Sequence, residues 1–307
     1  MPANMPEVWL DRVINNLTTA DQAPFLDGIA EMDVDVSQMG EGTITESNII
    51  HVPTSEFAPD ILINNSTYPI ALQAYNDSEV IIKLDKYQTK VVTLTDDQVM
   101  GASYDRIDNA TRKTVQKLTS EKFGKAMHAI APTSNAANTP VIAATGGGGT
   151  TPLTDPTGRL RLVYEDLVAL KGRFDKITGC PISGRRIVLC VDHYNDLLLD
   201  RKNFGDQLVN YKAGTTAPII AGFEIFQYEN MPVYATNVKK AYGSVPVATD
   251  KTASVAFCVD NIAKKTGNTK QYFTAAKDNP TTQTNQLAYR HYFIAVPFQA
   301  TMIGAIL

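Results

Sequence analysis

An α+β fold of two lobes is predicted by three features of the 307-residue sequence. The first is an alternating stretch, "IIKLDKYQTKVVTLT" at 81–95, that runs through a polar turn into one long helix. The second is a stretch at 160–177 with apolar residues spaced by three and four, followed by strand patterns. The third is the small, polar, Gly-rich segment between them, "SNAANTPVIAATGGGGTTPLTDPTG", which reads as a mobile connection between folded lobes. With 44% hydrophobic and 20% charged residues, a chain of this length buries a large core in one or two domains.

In "PEVWLDRVINNLT" at 6–18, Val8, Trp9, Ile14 and Leu17 share roughly one helical face and Pro6 suits a first turn, so a short amphipathic helix is expected. The Asp, Gly and Pro punctuation of residues 19–43 predicts an extended segment rather than packed core. "TITESNIIHV" and "YPIALQAY", separated by a stretch rich in Pro, Asn, Ser and Thr, predict a long two-stranded excursion with a polar tip over 43–80. Ile82 and Leu84 against Lys83 and Asp85, then Val92 and Leu94 against Thr93 and Thr95, predict strands with one buried face.

The long helix is expected from Ser103, as its N-cap, to Ile130, about 40 Å at 1.5 Å per residue. Ile107, Thr111, Leu118 and Ala129 fall near one face and Arg106, Lys113 and Lys117 near another, and "APT" at 131–133 ends it. In the second lobe Leu160, Val163, Leu167, Leu170, Phe174 and Ile177 predict an amphipathic helix closed by Gly179 and Pro181. "RIVLCVD" at 186–192 reads as a buried strand and "HYNDLLLDRK" as a short helix. "FEIFQYENMPVYAT" reads as a pair of strands, and "SVAFCV" and "QLAYRHYFIAVPFQA" add more. No internal repeat is visible.

Several function classes are disfavoured. A net charge of −4 supplies no global basic field for nucleic acid, so any such contact is local. Cys180, Cys190 and Cys258 are an odd, widely spaced set without a CxxC pair, which reads as reduced, buried thiols. The N-terminus lacks a secretory pattern, and the longest apolar run, "FIAVPFQATMIGAIL", is short and broken by Pro297 and Gln299, so no membrane association is expected.

His51, His128, His193 and His291 are dispersed with no metal-binding spacing. Asp33 and Asp35 lack the glycine and distal glutamate of a calcium loop, and Gly146 to Gly149 lack the lysine of a phosphate loop. Asp192 and His193 are the best acid/base pair, but Asp192 is also the natural N-cap of the following helix. No catalytic residue, metal or cofactor is assigned.

The order of elements and three stretches carry a resemblance. These are "EVIIKLDKYQTKVVTLTDDQVMGASYDRIDNATRKTVQKLTSEKFGKAMHAIAP", "VYEDLVALKGRFDKITGCPISGRRIVLCVDHYNDLL" and the terminal "AYRHYFIAVPFQATMIGAIL". Together they resemble the major capsid proteins of tailed bacteriophages with the Hong Kong 97-type fold, over nearly the whole chain.

The resemblance implies an N-terminal arm (1–42), an extended loop hairpin (43–80) and a peripheral domain (81–132 and 285–307) with a spine helix at 103–130. It also implies an axial α/β domain (133–284) that includes the Gly-rich crossing at 145–158. It further implies a noncatalytic subunit, assembled in the host cytoplasm into the hexamers and pentamers of an icosahedral virion shell around double-stranded DNA. Its partners would be copies of itself, a separate scaffolding protein, a portal protein and weakly held DNA, with a decoration protein left open. A bacterial encapsulin-type nanocompartment shell is the alternative from a different biological class.

Residues 13–82 contain no Lys or Arg, which rules out a lysine cross-link from the extended loop and makes cohesion noncovalent. The intersubunit contact candidates are Trp9, Ile14 and Leu17 on the arm helix, Asp33, Asp35, Glu46, Glu56 and Asp60 on arm and loop, and Arg106, Lys113 and Lys117 on the spine helix.

Overall fold

The computed structural model describes residues 23–32, 49–55, 60–73, 77–95, 106–200, 209–210, 215–216, 218–279 and 281–307. In chain order, β1 (Ile49–Ser55) and β2 (Asp77–Lys83) form an antiparallel ribbon with Ile49 opposite Lys83 and Ser55 opposite Asp77. Short strands β3 (Asp85–Gln88) and β4 (Val92–Thr95) precede helix α1 (Arg106–Ile130), and β5 (Val141–Ile142) follows it. Helix α2 (Tyr164–Phe174), β6 (Arg185–Leu189) and helix α3 (Val191–Leu199) come next. They lead to β7 (Val209–Asn210), β8 (Thr215–Thr216), β9 (Ile219–Ile220) and β10 (Phe223–Gln227). The chain ends with β11 (Val233–Ala235), β12 (Val238–Lys239), β13 (Lys251–Thr252), β14 (Ser254–Cys258), β15 (Ile262–Thr274), β16 (Thr284–Pro297) and β17 (Ile303–Ile306).

Two sheets carry the core. One has six strands in the order β5-β17-β14-β6-β10-β9, and the other has β15-β16-β3 with β4 also on β16. The period of two along the inner strands sorts their side chains onto two layers. Ile187 and Leu189 of β6, with Ala256 and Cys258 of β14, face Leu167, Leu170 and Phe174 of α2. The intervening Val188, Val255 and Phe257 face Phe123, Met127 and Ile130 of α1. The same α1 face also packs on Phe293 and Ala295 of β16, so the second half of this helix is a strut shared by both sheets. Its first half places Val115 and Leu118 on Leu287 and Tyr289 of β16.

Of the residues predicted on the apolar face of the long helix, Thr111 and Leu118 are buried and Ala129 is half-buried. The helix ends at Ile130 as read, while Ser103 and the side chain of Ile107 lie outside the description. Helix α2 begins at Tyr164 because Val163 is extended and its N–H donates to Asp166 at 3.2 Å. Phe174 closes it under β17, where Gly304 leaves room for the ring: an added Cβ would lie 2.7 Å from Phe174 Cε2 and 3.1 Å from Pro140 O. Gly304→Ala is therefore expected to destabilise the fold by about 1–3 kcal/mol through overpacking. A urea titration checks this, and an unchanged midpoint would refute the close fit.

Several readings of the sequence need correction. Residues 23–32 are packed core rather than an extended segment: Phe25, Leu26 and Ile29 are buried between α1 and β14. Turn residues there punctuate an anchor, and three apolar side chains decide its fate.

The return strand of the long excursion is β2, not "YPIALQAY", since Pro69 cannot donate to a ladder and residues 60–73 form no strand. Strands β10 and β11 do not pair with each other, because the turn through Pro232 carries β11 into a three-stranded sheet with β12 and β13.

The Gly-rich crossing is folded rather than mobile. Gly146 N–H donates to Arg161 O, Leu153 N–H to Gly146 O and Arg161 N–H to Leu153 O at 3.1, 2.8 and 3.0 Å. β15 pairs along β16 from Ile262↔Pro297 to Thr274↔Gln286, with a bulge after Thr266. β17 joins the six-stranded sheet.

Candidate subunit interface

The residues considered for acid/base and phosphate chemistry are engaged in the fold. The N-cap of α3 is Cys190, not Asp192, which is exposed one position into the first turn. His193 points inward: it is 1% exposed, and its Nδ1 lies 2.8 Å from Ser254 Oγ, which also accepts the Cys190 N–H at 3.0 Å. Burial pushes His193 down to about 4, so it is a neutral latch between α3 and β14 rather than an accessible base.

The donors of the Gly-rich turn are engaged by carboxylates. Gly148 N–H bonds Glu165 at 3.0 Å and Thr145 N–H bonds Asp166 at 3.2 Å, so a phosphate would have to displace both acids. Among the described residues no His, Cys, Asp or Glu group has the make-up of a metal site, and no helix is long and apolar enough to cross a membrane.

Two open surfaces among the described residues bear on assembly. One is a groove of about 660 Å³ between the outer face of α1 and strands β3 and β4. It gathers Lys86 and Lys90 from the strand side and Lys113, Lys117 and Lys125 from the helix, with Glu121 as its acid. Lys117 and Glu121 pair at 2.6 Å one helical turn apart, and Tyr242 OH donates to Glu121 at 2.7 Å. The Lys117 ammonium, with Tyr242 and against some desolvation, holds that carboxyl below its usual range. Lys125 is tied to Asp85 at 2.6 Å. Lys86, Lys90 and Lys113 are exposed and form no ion pair among the described residues. The sequence reading found Lys113 and Lys117 on one face. It missed Lys86 and Lys90, although they stand at even spacing on the outward side of the strand stretch.

The other surface is the described part of the loop that connects the β1–β2 ribbon. Asp60 N–H donates to Gln73 Oε1 at 3.0 Å, and Asn65 closes a side-chain turn onto Thr67 at 2.9–3.0 Å. These contacts shape the loop without covering it. Ile61, Ile63 and Leu72 are 81%, 83% and 101% exposed, and Leu62, Tyr68 and Ile70 are exposed as well. The expected polar tip is thus strongly apolar. Such a cluster on a single subunit makes this loop a candidate contact surface.

The structure places Asp60 on this loop and Lys113 and Lys117 in the groove. Arg106 opens α1, with its side chain outside the description. Trp9, Ile14, Leu17, Asp33, Asp35, Glu46 and Glu56 lie outside the described residues.

Comparison with known proteins agrees with a coat subunit. A family model described as phage capsid protein matches residues 77–303. The capsid of the cyanophage P-SCSP1u superposes with a TM-score of 0.58 at 16% identity, over 86% of this chain and 84% of that one. Gordonia phage Cozz gives 0.59 at 11% identity, over 92% and 85%. The virus-like particle of Pyrococcus furiosus gives 0.55 at 9% identity, over 98% of both chains. No curated protein sequence matches the chain.

At these identities the structural likeness is one of fold, an α+β architecture of the Hong Kong 97 type. The family match spans well over half of the sequence and is to structural, noncatalytic proteins. The chain belongs to the phage capsid protein family, as a self-assembling major capsid protein of the virion's icosahedral shell.

Proposed function

We propose that these subunits close as hexamers and pentamers around the double-stranded DNA of a tailed phage, and that acidic arm or loop segments of one subunit lie in the basic groove of the next. In this reading α1 is the spine helix of a peripheral lobe, the β1–β2 ribbon is the base of the extended loop, and the six-stranded sheet frames the axial lobe. Assembly takes place in the host cytoplasm with a separate scaffolding protein and a portal protein.

Charge complementarity within one chain carries the proposal. Between Arg12 and Lys83 lie Asp21, Asp27, Glu31, Asp33, Asp35, Glu41, Glu46, Glu56, Asp60, Asp77 and Glu79 without one basic residue. The groove beside α1 holds five lysines and one glutamate. Each exposed pair contributes roughly 0–1 kcal/mol, and a shell repeats it many times. Trp9, Ile14 and Leu17 would add apolar burial on the neighbour, since a helix as short as the predicted arm helix is unstable alone. A second reading has the same lysines facing packaged DNA, because phosphate needs no fixed partner geometry.

Lys113→Glu separates the two. It is expected to block assembly of DNA-free shells, with recovery when an arm or loop acid is changed to lysine, as in Asp60→Lys. Native DNA-free shells should loosen at high salt, because screening shortens the reach of these charges to about 3 Å at 1 M. Normal empty shells from Lys113→Glu, with only DNA packaging impaired, would establish the DNA-facing reading instead.

A further inference from the structure

We propose that Cys180 and Cys258 are a modification site: on contact with a small-molecule disulfide they close an internal disulfide that staples the turn after α2 to strand β14. The two sulfurs, separated by 78 residues in sequence, lie 3.3 Å apart as free thiols. Cys258 is fully buried in the layer between α2 and the six-stranded sheet, and Cys180 packs against the same cluster.

The surroundings suit an exchange reaction. Cys180 is half-buried in a surface turn, flanked by exposed Thr178, Gly179 and Ile182, so an oxidant in solution reaches it first. The turn is held at its start by the Cys180 N–H to Ile177 O bond at 3.2 Å, and Gly179 at φ +80° gives it a left-handed link. A protein disulfide needs the sulfurs at about 2.05 Å, and a surface turn can make that approach.

Arg185 stands opposite Cys258 on the neighbouring strand. It is 2% exposed; its Nη1 bonds Asp175 at 2.6 Å, its Nε bonds Pro181 O at 2.7 Å, and its Nη2 has no hydrogen-bond partner. This fixed charge lies beside the sulfur pair. Burial and the contact with Cys180 push the Cys258 thiol up to about 12, which leaves Cys180 as the attacking group. Cys190 sits in the opposite layer, facing α1, and cannot compete.

The chemistry balances. The Cys180 thiolate attacks one sulfur of the small disulfide, forming a mixed disulfide and releasing one small thiolate, which takes up a proton. The Cys258 sulfur then attacks the Cys180 sulfur of the mixed disulfide and displaces the second small thiolate, which takes up the proton that Cys258 gives up. Two protein thiols become one disulfide, and one small disulfide becomes two thiols.

The test treats the folded full-length chain with oxidised glutathione, quenches in acid and alkylates in denaturant. One alkylated thiol of three, a protein mass lower by about 2 Da before alkylation and a linked peptide pair containing Cys180 and Cys258 are expected. Cys190→Ala should then show no free thiol. Cys180→Ser, a change in a half-exposed turn, should leave Cys258 reduced and alkylatable. Three alkylatable thiols after treatment, a stable glutathione adduct on Cys180, or a link involving Cys190 would each overturn the proposal.

Discussion

A subunit carrying Ile61→Ser, Ile63→Ser and Leu72→Ser is expected to fold like the native chain and remain unassembled. The three side chains are 81%, 83% and 101% exposed, so the isolated subunit gains almost nothing from them. Exposed substitutions of this kind usually change stability by no more than about 0.5 kcal/mol. In the proposed assembly the same side chains bury against a neighbouring subunit. At about 1.5–3 kcal/mol for each buried aliphatic side chain, the triple change removes roughly 5–9 kcal/mol per subunit from assembly. A circular-dichroism melt should therefore match the native one while sedimentation velocity shows only small species. Particles at native yield would mean that this loop projects into solvent in the shell, and its apolar character would need another explanation.

Much of the frame was legible because burial was written locally. Ile82 and Leu84 announce a one-sided strand, and both are buried under the sheet edge. The run at 187–190 is apolar throughout because β6 has a helix layer on each face, which is also why its alternation is hidden. Leu167, Leu170 and Phe174 fix the face of α2 by spacing alone.

Other parts depended on partners distant in sequence. Strand β15 was missed because "IAKKTGNTKQYFT" is a sheet-edge strand whose lysines and threonines are largely half-buried, so no apolar alternation marks it. Its length is set by pairing with β16. The capture of β17 by β14 and β5 is likewise a long-range choice. Half of the basic groove was readable from the wheel of α1, but Lys86 and Lys90 join Lys113 and Lys117 only through the fold. The tip was read as polar from its Asn, Ser and Thr. Those residues make the turn, while the isoleucines and leucines between them supply the exposed surface.

The largest stability loss is expected from Phe25→Ala. Its ring is fully buried, edge-on to Tyr228 at 5.3 Å and to Phe123 at 6.5 Å, and so ties residues 23–32 to β10's end and to α1 at once. The backbone around it is held by cations. Arg186 Nη1 donates to Phe25 O at 3.1 Å and Asp27 O at 2.5 Å, while Lys264 and Lys265 reach Leu26 O and Met32 O at 3.2 and 2.8 Å. Removing a buried phenylalanine costs about 3–5 kcal/mol. In this site the cavity has little chance to collapse, because α1 is already fixed by both sheets and the anchor by its carbonyl bonds. A fall of roughly 5–15 °C in the thermal midpoint should follow. A conservative Phe25→Leu should recover most of it, since the apolar volume is largely kept. A change within about 0.5 kcal/mol would instead mean that residues 23–32 open independently of the core. That outcome would also weaken the assembly proposal, in which contacts made by residues 1–22 on a neighbouring subunit start from a point that Phe25 holds fixed.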